Sequence, residues 1–323
     1  MKKKIILWIF ILSIAAGIIY CTHLCFKKMN TPDVESDITG KDINKEEYMY
    51  KEELLTLNYN IEEIKIIEQK IKNIDVENYL LNEKYNNLTK FIESPYFNIK
   101  NIKRYQEYYD KNNTYTPDII VMHVEIGIDN PFYTNIIKTD TTKNELMLVN
   151  KYNALDQNYN PNLVNVESSY GKGKAEKTTY DYFVKMCDAA KKDNIILKSV
   201  SFYRSYNSQL NIYNGYVKRD GEEKADTYSA RAGHSEHQTG MAVDINTCSS
   251  KSNFENTKEY DWLINNSYKY GFILRYPLNK TYITGYKYEP WHFRYVGIDA
   301  ANKIFEEQIT FEEYLVKYGQ QSY

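Results

Sequence analysis

The chain has 323 residues, 42% of them hydrophobic and 26% charged, with a formal net charge of −2. That balance supplies a buried core for one large or two modest domains, and it lacks the basic field of a nucleic-acid binder, so no nucleic-acid partner is expected. Aromatics at 15%, with 33 tyrosines, exclude a disordered chain, and 4 cysteines are too few for a disulfide scaffold.

Residues 2–4 are lysines, and the stretch from Ile5 to Phe26 carries no charged side chain. As a helix that stretch would run about 33 Å, enough to cross a bilayer core. The lysines ahead of it favour a cytoplasmic N-terminus and place everything that follows outside. Residues 1–26 are therefore expected to be a single-pass anchor in the cell membrane. The alternative is a signal segment cleaved near Ala15-Ala16-Gly17, with the remainder secreted. A lipid on Cys21 is disfavoured by the bulk of Ile18-Ile19-Tyr20 before it. Export would permit a bridge between Cys187 and Cys248, although two unpaired thiols are the expectation.

Lys27 to about Asn44 is polar and without period, and reads as a tether. Leu54, Leu57, Ile61, Ile64, Ile67 and Ile71 recur at intervals of three or four, which predicts a helix over Lys45–Asn73. A second helix is expected over Val76–Ile92. No heptad persists, so residues 27–115 read as a tether and helical stalk region or small packing module rather than a coiled coil. Beyond Thr114 the elements shorten. Ile119–Glu125 and Glu145–Val149 read as strands, Lys177–Lys191 as a helix and Ile195–Phe202 as a strand. Ser205 is placed to cap a helix running to about Val217. Met241–Ile245 reads as a strand, Lys258–Tyr270 as a helix ending at Gly271, and Phe272–Tyr276 as a strand before Pro277. Thr310 and Glu313 form a capping box for a last helix. The class is α+β, with residues 116–323 as the domain that carries the chemistry.

Of the five histidines, His23 lies in the apolar segment and His123 in an apolar run, where a satisfied core residue is expected. The others sit near motifs. In Ser235-Glu-His237-Gln-Thr-Gly240-Met-Ala-Val-Asp244, a regular helix would hold His237 and Asp244 about 10 Å apart, too far to share an ion. They converge if Gly240 lets the chain turn and the next strand points Asp244 back. In Glu289-Pro290-Trp291-His292, Pro290 keeps Glu289 extended, so Glu289 and His292 can flank one point. His237, Asp244 and His292 together would make a three-ligand site with a fourth position open, and Glu289 beside it a general base. Arg204, in Ser201-Phe-Tyr-Arg204-Ser205, ends a strand just before a helix N-terminus and can grip a carboxylate bidentately. Each signal alone has an ordinary structural explanation; their combination is much harder to explain away.

The combination of SFYRSYNSQ, GHSEHQTGMAVDI, YGFILRYP and TGYKYEPWHFRYVG resembles the VanY-type D-alanyl-D-alanine carboxypeptidases, zinc peptidases related to lysostaphin and the hedgehog-type folds. LMLVNKYNALDQNYNPNLVNV resembles the start of that domain, so the likeness covers Leu146–Gly319. The resemblance implies a small antiparallel sheet with flanking helices. It implies one Zn2+ held by His237, Asp244 and His292, with Glu289 as general base and Arg204 as anchor of the substrate's terminal carboxylate. Gln209 and Ser235 match positions near the bound peptide; His234 receives no role. The substrate implied is the peptidoglycan stem peptide, cleaved before its C-terminal D-alanine outside the membrane. L,D-carboxypeptidase or endopeptidase action on the same fold, and a non-catalytic wall-binding ectodomain, are the alternatives.

Overall fold

A computed structural model of the protein describes residues 45–247 and 252–319. The segment read as an anchor (1–26), the tether and Cys248, with its pairing to Cys187, lie outside the described residues. Among the described residues no helix is long and apolar enough to cross a membrane.

The first helical stretch is two helices, α1 (Lys45–Thr56) and α2 (Ile61–Lys70), not one. Asn58 takes a left-handed φ of 65°, and Asn60 restarts the helix through a reciprocal capping box with Glu63. The expected second helix is likewise split into α3 (Asn73–Tyr79) and α4 (Leu88–Ile92). The intervening turn is pinned where the Tyr85 N–H donates to the buried Tyr59 hydroxyl at 2.8 Å. Next come α5 (Ile102–Lys111) and α6 (Pro117–Ile126). Helix α6 replaces the strand expected over Ile119–Glu125. Its β-branched residues suggest a strand, but Thr116 caps the start, Pro117 fills the first turn and Gly127, at φ 99°, closes the end. Ile120, Val121 and Val124 then join Leu54, Ile64, Ile67, Leu88, Phe91 and Tyr105 in a separate apolar core.

Strands β1 (Ile137–Lys138) and β2 (Asn153–Ala154) form a short parallel pair. Between them Glu145–Val149, expected as a strand, pairs with none: the carbonyls of Glu145 and Met147 accept from Arg294 Nη2, each at 3.1 Å, in place of a ladder. Strands β3 (Leu163–Asn165) and β4 (Lys174–Glu176) pair antiparallel and lead into α7 (Lys177–Lys192).

Then follow β5 (Lys198–Ser201), α8 (Tyr206–Asp220), α9 (Glu222–Asp226), β6 (Ala242–Asn246) and α10 (Lys258–Asn266). The chain ends with β7 (Phe272–Leu274), α11 (Thr281–Thr284), β8 (His292–Tyr295), α12 (Ile298–Glu307) and α13 (Phe311–Tyr318). The sheet order is β5-β6-β8-β7, antiparallel throughout. Its core joins Phe183 of α7 to Phe202, Val243, Ile245, Phe272 and Phe293, and α12 and α13 pack over Ile273 and Val296. Ser205 caps α8, and Thr310 with Glu313 boxes α13, as their sequences require. From Tyr50 onward the chain belongs to one compact unit.

Candidate active site

One turn and one strand pair assemble the site. Glu236–Thr239 form a single 3₁₀ turn, and Gly240 reverses the chain at φ 72°. A Cβ at Gly240 would lie 2.8 Å from the Glu176 amide nitrogen, so no other residue fits without displacing backbone. The reversal feeds β6, whose Asp244 stands directly opposite His292 of β8. His237 Nε2 comes 3.4 Å from Asp244 Oδ1, and His292 Nδ1 comes 3.2 Å from the same oxygen. One ligand atom from each of the three lies within 4.8 Å of the others.

The remaining ring nitrogens are already engaged. His237 Nδ1 faces the Phe202 carbonyl at 2.5 Å, and His292 Nε2 faces Glu236 Oε2 at 3.4 Å. With protons on those outer nitrogens, His237 Nε2 and His292 Nδ1 turn lone pairs inward. Asp244 Oδ1, buried between them, has no hydrogen-bond partner. A buried carboxylate oxygen left without a donor is costly, and a cation on the two nitrogens and this oxygen would satisfy it. Two imidazoles and a carboxylate suit zinc, with a fourth position left free.

Glu289 is held by its own turn. Its N–H donates to the Tyr276 carbonyl at 3.2 Å, its carbonyl accepts from the His292 N–H at 3.1 Å, and its Oε2 lies 3.7 Å from His292 Nδ1. Burial pushes its carboxyl up to about 7, with the Asp244 charge adding to the rise and His292 and Arg204 opposing it. For His292 burial acts downward, but the Asp244 and Glu236 carboxylates beside it prevail and push it up to about 9. Burial lowers His237. Asp244 is held below the usual carboxylate range: burial opposes ionisation, and the two histidines outweigh it.

Arg204 closes the other side. Its Nη1 donates to Gln209 Oε1 at 2.8 Å and its Nη2 to Ser201 Oγ at 3.2 Å, while Nη2 stands 3.9 Å from Asp244 Oδ2. Gln209 is buried and donates to the Ala230 carbonyl at 2.7 Å, so its Oε1 is fixed where it receives the guanidinium. Ser235 is buried beside His237. All seven residues singled out in the sequence line one cavity of about 500 Å³, rimmed by Tyr216, Tyr228, Tyr288 and Trp291. His234 sits outside it, with Nδ1 2.7 Å from the Asn150 carbonyl, and His123 is a core residue paired with the Tyr108 hydroxyl at 3.2 Å. Sequence reasoning missed Glu236 and the buried arginines behind it, Arg275 and Arg294. For the two arginines the available signal was a charged residue inside an otherwise apolar run, FILRYP and FRYV.

The VanY family profile, described as D-alanyl-D-alanine carboxypeptidase, matches residues 172–298. The chain is 43% identical over 213 residues to YodJ of Bacillus subtilis, spanning 60% of this chain and 77% of that protein. It is 38% identical over 179 residues to the D-alanyl-D-alanine carboxypeptidase of Enterococcus faecalis, across 53% of this chain and 65% of that one. Among solved structures, that of the LdcB LD-carboxypeptidase is similar at 41% identity and a TM-score of 0.54, covering 58% of this chain and 94% of that one. With three-quarters of a relative's length matched and the motif residues of that family converging on one cavity, the chain belongs to the VanY D-alanyl-D-alanine carboxypeptidase family and is a peptide-bond hydrolase.

Proposed function

We propose that the protein is a zinc-dependent D,D-carboxypeptidase that removes the C-terminal D-alanine from peptidoglycan stem peptides. The observation that carries this reading is the convergence of Arg204, Glu289 and the His237, Asp244 and His292 atoms on one cavity. Bound to those three ligands, zinc supplies a Lewis acid that acidifies water and polarises a carbonyl. Arg204 receives the substrate's terminal carboxylate through its forked N–H groups, which measures the chain end and favours exo- over endopeptidase action. Glu289 accepts the proton of the attacking water at its carboxylate. The C–N bond breaks as Glu289 returns that proton to the leaving amine of D-alanine, and a shortened peptide carboxylate remains. Gln209 and Ser201 hold the guanidinium so that this geometry precedes binding.

The Enterococcus faecalis relative supports the D,D bond of a pentapeptide. The likeness to LdcB supports a second reading, cleavage of the L,D bond of a tetrapeptide, with the same leaving group and site residues. A non-catalytic ectodomain is disfavoured because the residues proposed as ligands, base and anchor are all present. The apolar stretch Ile5–Phe26 supports action outside the cytoplasm on a membrane anchor. The test is incubation of the purified protein with muramyl pentapeptide and with muramyl tetrapeptide, followed by mass. Loss of one alanine from the pentapeptide supports the D,D reading, and loss from the tetrapeptide alone moves the assignment to L,D. Cleavage of neither, with cross-linked wall fragments cut instead, would overturn the exopeptidase reading.

A further inference from the structure

Beside Asp244 and His292, on the face of the sheet that Arg294 shares with His292, lies a set of buried charges that the reaction does not use. Glu236, 1% exposed, presents Oε2 to His292 Nε2 at 3.4 Å. Its Oε1 accepts from Arg275 Nε at 2.7 Å and lies 3.3 Å from Arg294 Nη1. Arg275, 1% exposed, in turn grips Glu312 with both terminal nitrogens, at 2.9 and 2.6 Å. Glu312 is the second residue of the last helix, α13, and is 2% exposed; its Oε1 also accepts from Asn150 Nδ2 at 3.3 Å.

Burying such charges costs several kcal/mol per ion, and apolar residues of similar volume usually pack as stably. Packing alone therefore does not account for a fork from α13 to the metal ligands. The connectivity does. Glu312 fixes the plane of Arg275, Arg275 fixes the Glu236 carboxylate, and Glu236 keeps the His292 proton on Nε2, so that Nδ1 faces Asp244 and His237. Ligands whose outer nitrogen is held in this way bind metal more tightly.

We propose that Glu312 is a positioning residue for His292, acting through Arg275 and Glu236, so that docking of the last helix sets the metal affinity of a site on the central sheet. This rests on the reading that His237, Asp244 and His292 hold zinc. The opposing account is that the fork merely fastens α13 to the sheet.

The experiment measures zinc affinity by competition with a chromogenic chelator, for wild type and two variants, with near-UV circular dichroism as the check on folding. Glu312→Gln keeps the shape and removes one charge. The double variant Arg275→Met, Glu312→Leu removes the ion pair as a unit, so α13 remains packed while Glu236 loses the Arg275 bond and keeps only Arg294 beside it. Both are expected to lose about 10- to 100-fold in zinc affinity. In zinc-loaded wild type, nitrogen-15 spectra should show the His292 proton on Nε2, slowly exchanging, and in the double variant that proton should exchange rapidly. A natively folded double variant with wild-type zinc affinity would overturn the proposal and leave the zinc reading intact. A wild type that binds no zinc would instead overturn the zinc reading and this proposal with it.

Discussion

Asp244 on β6 and His292 on β8 face each other across an antiparallel ladder, 3.2 Å apart from Oδ1 to Nδ1. Their separation is set by backbone pairing, and a slip of one residue would turn one of them to the other side of the sheet. The third ligand atom, His237 Nε2, arrives through the Gly240 turn. Two of the proposed ligands on the sheet and one on a tight turn give a rigid half-site, and the proposed base Glu289 and anchor Arg204 stand around it.

Glu289→Gln keeps the volume of the side chain and removes its capacity to take a proton. Zinc content should remain at wild-type level, while kcat falls by about 10²- to 10⁴-fold. Stopped assays with pentapeptide and metal analysis of the same sample check both halves. Wild-type turnover in this variant would remove Glu289 from the role of base.

The same carboxylate should govern the acid side of the pH profile. The base works ionised, and burial holds its carboxyl up at about 7. Below that value kcat/KM should fall by tenfold per pH unit as the carboxylate is protonated. A dication nearby favours the ionised form, so it moves the midpoint lower and never higher. Profiles of kcat/KM against pH test this, and a midpoint well above 7 would contradict it.

Zinc uptake should release a proton. In the metal-free site His292 is held protonated up to about 9 by Asp244 and Glu236, and it must lose its inner proton to ligate. Zinc affinity should therefore rise by about tenfold per pH unit from neutrality toward 9. Titration calorimetry in buffers of different ionisation enthalpy counts the proton directly. No buffer dependence at pH 7 would mean that His292 is neutral before zinc arrives.

Arg204→Met should cost about 1.5–3 kcal/mol in kcat/KM, roughly 10- to 150-fold, because a charge-assisted bond to the substrate's end is lost. A pentapeptide amidated at its C-terminus should be a poor substrate for wild type and should gain little or no further penalty from the variant. If amide and acid are cleaved equally well by wild type, Arg204 does not read the chain end.

Much of the site was legible because its parts are local. Gly240 between His237 and Asp244, and Pro290 between Glu289 and His292, are short-range devices whose geometry follows from backbone sterics. The caps at Ser205 and at Thr310 with Glu313 are legible for the same reason. The errors occur where distant residues decide. Ile119, Ile120, Val121 and Val124 suggest a strand, yet the burial of Ile120, Val121 and Val124 against α1, α2, α4 and α5 goes with the helical punctuation at Thr116, Pro117 and Gly127. Glu145–Val149 is denied a ladder because Arg294, far along the chain, takes its carbonyls. Glu236 reads as one polar residue among several in its motif, and its contact with His292 is visible only after Arg275, Arg294 and Glu312 gather around it.

The most direct test of the central claim is D-alanine release from pentapeptide and tetrapeptide by protein stripped with chelator and then titrated with zinc. Release should stop on stripping and return in proportion to zinc, saturating at one equivalent. Undiminished release after complete chelation, or full zinc occupancy without release from either peptide, would contradict it.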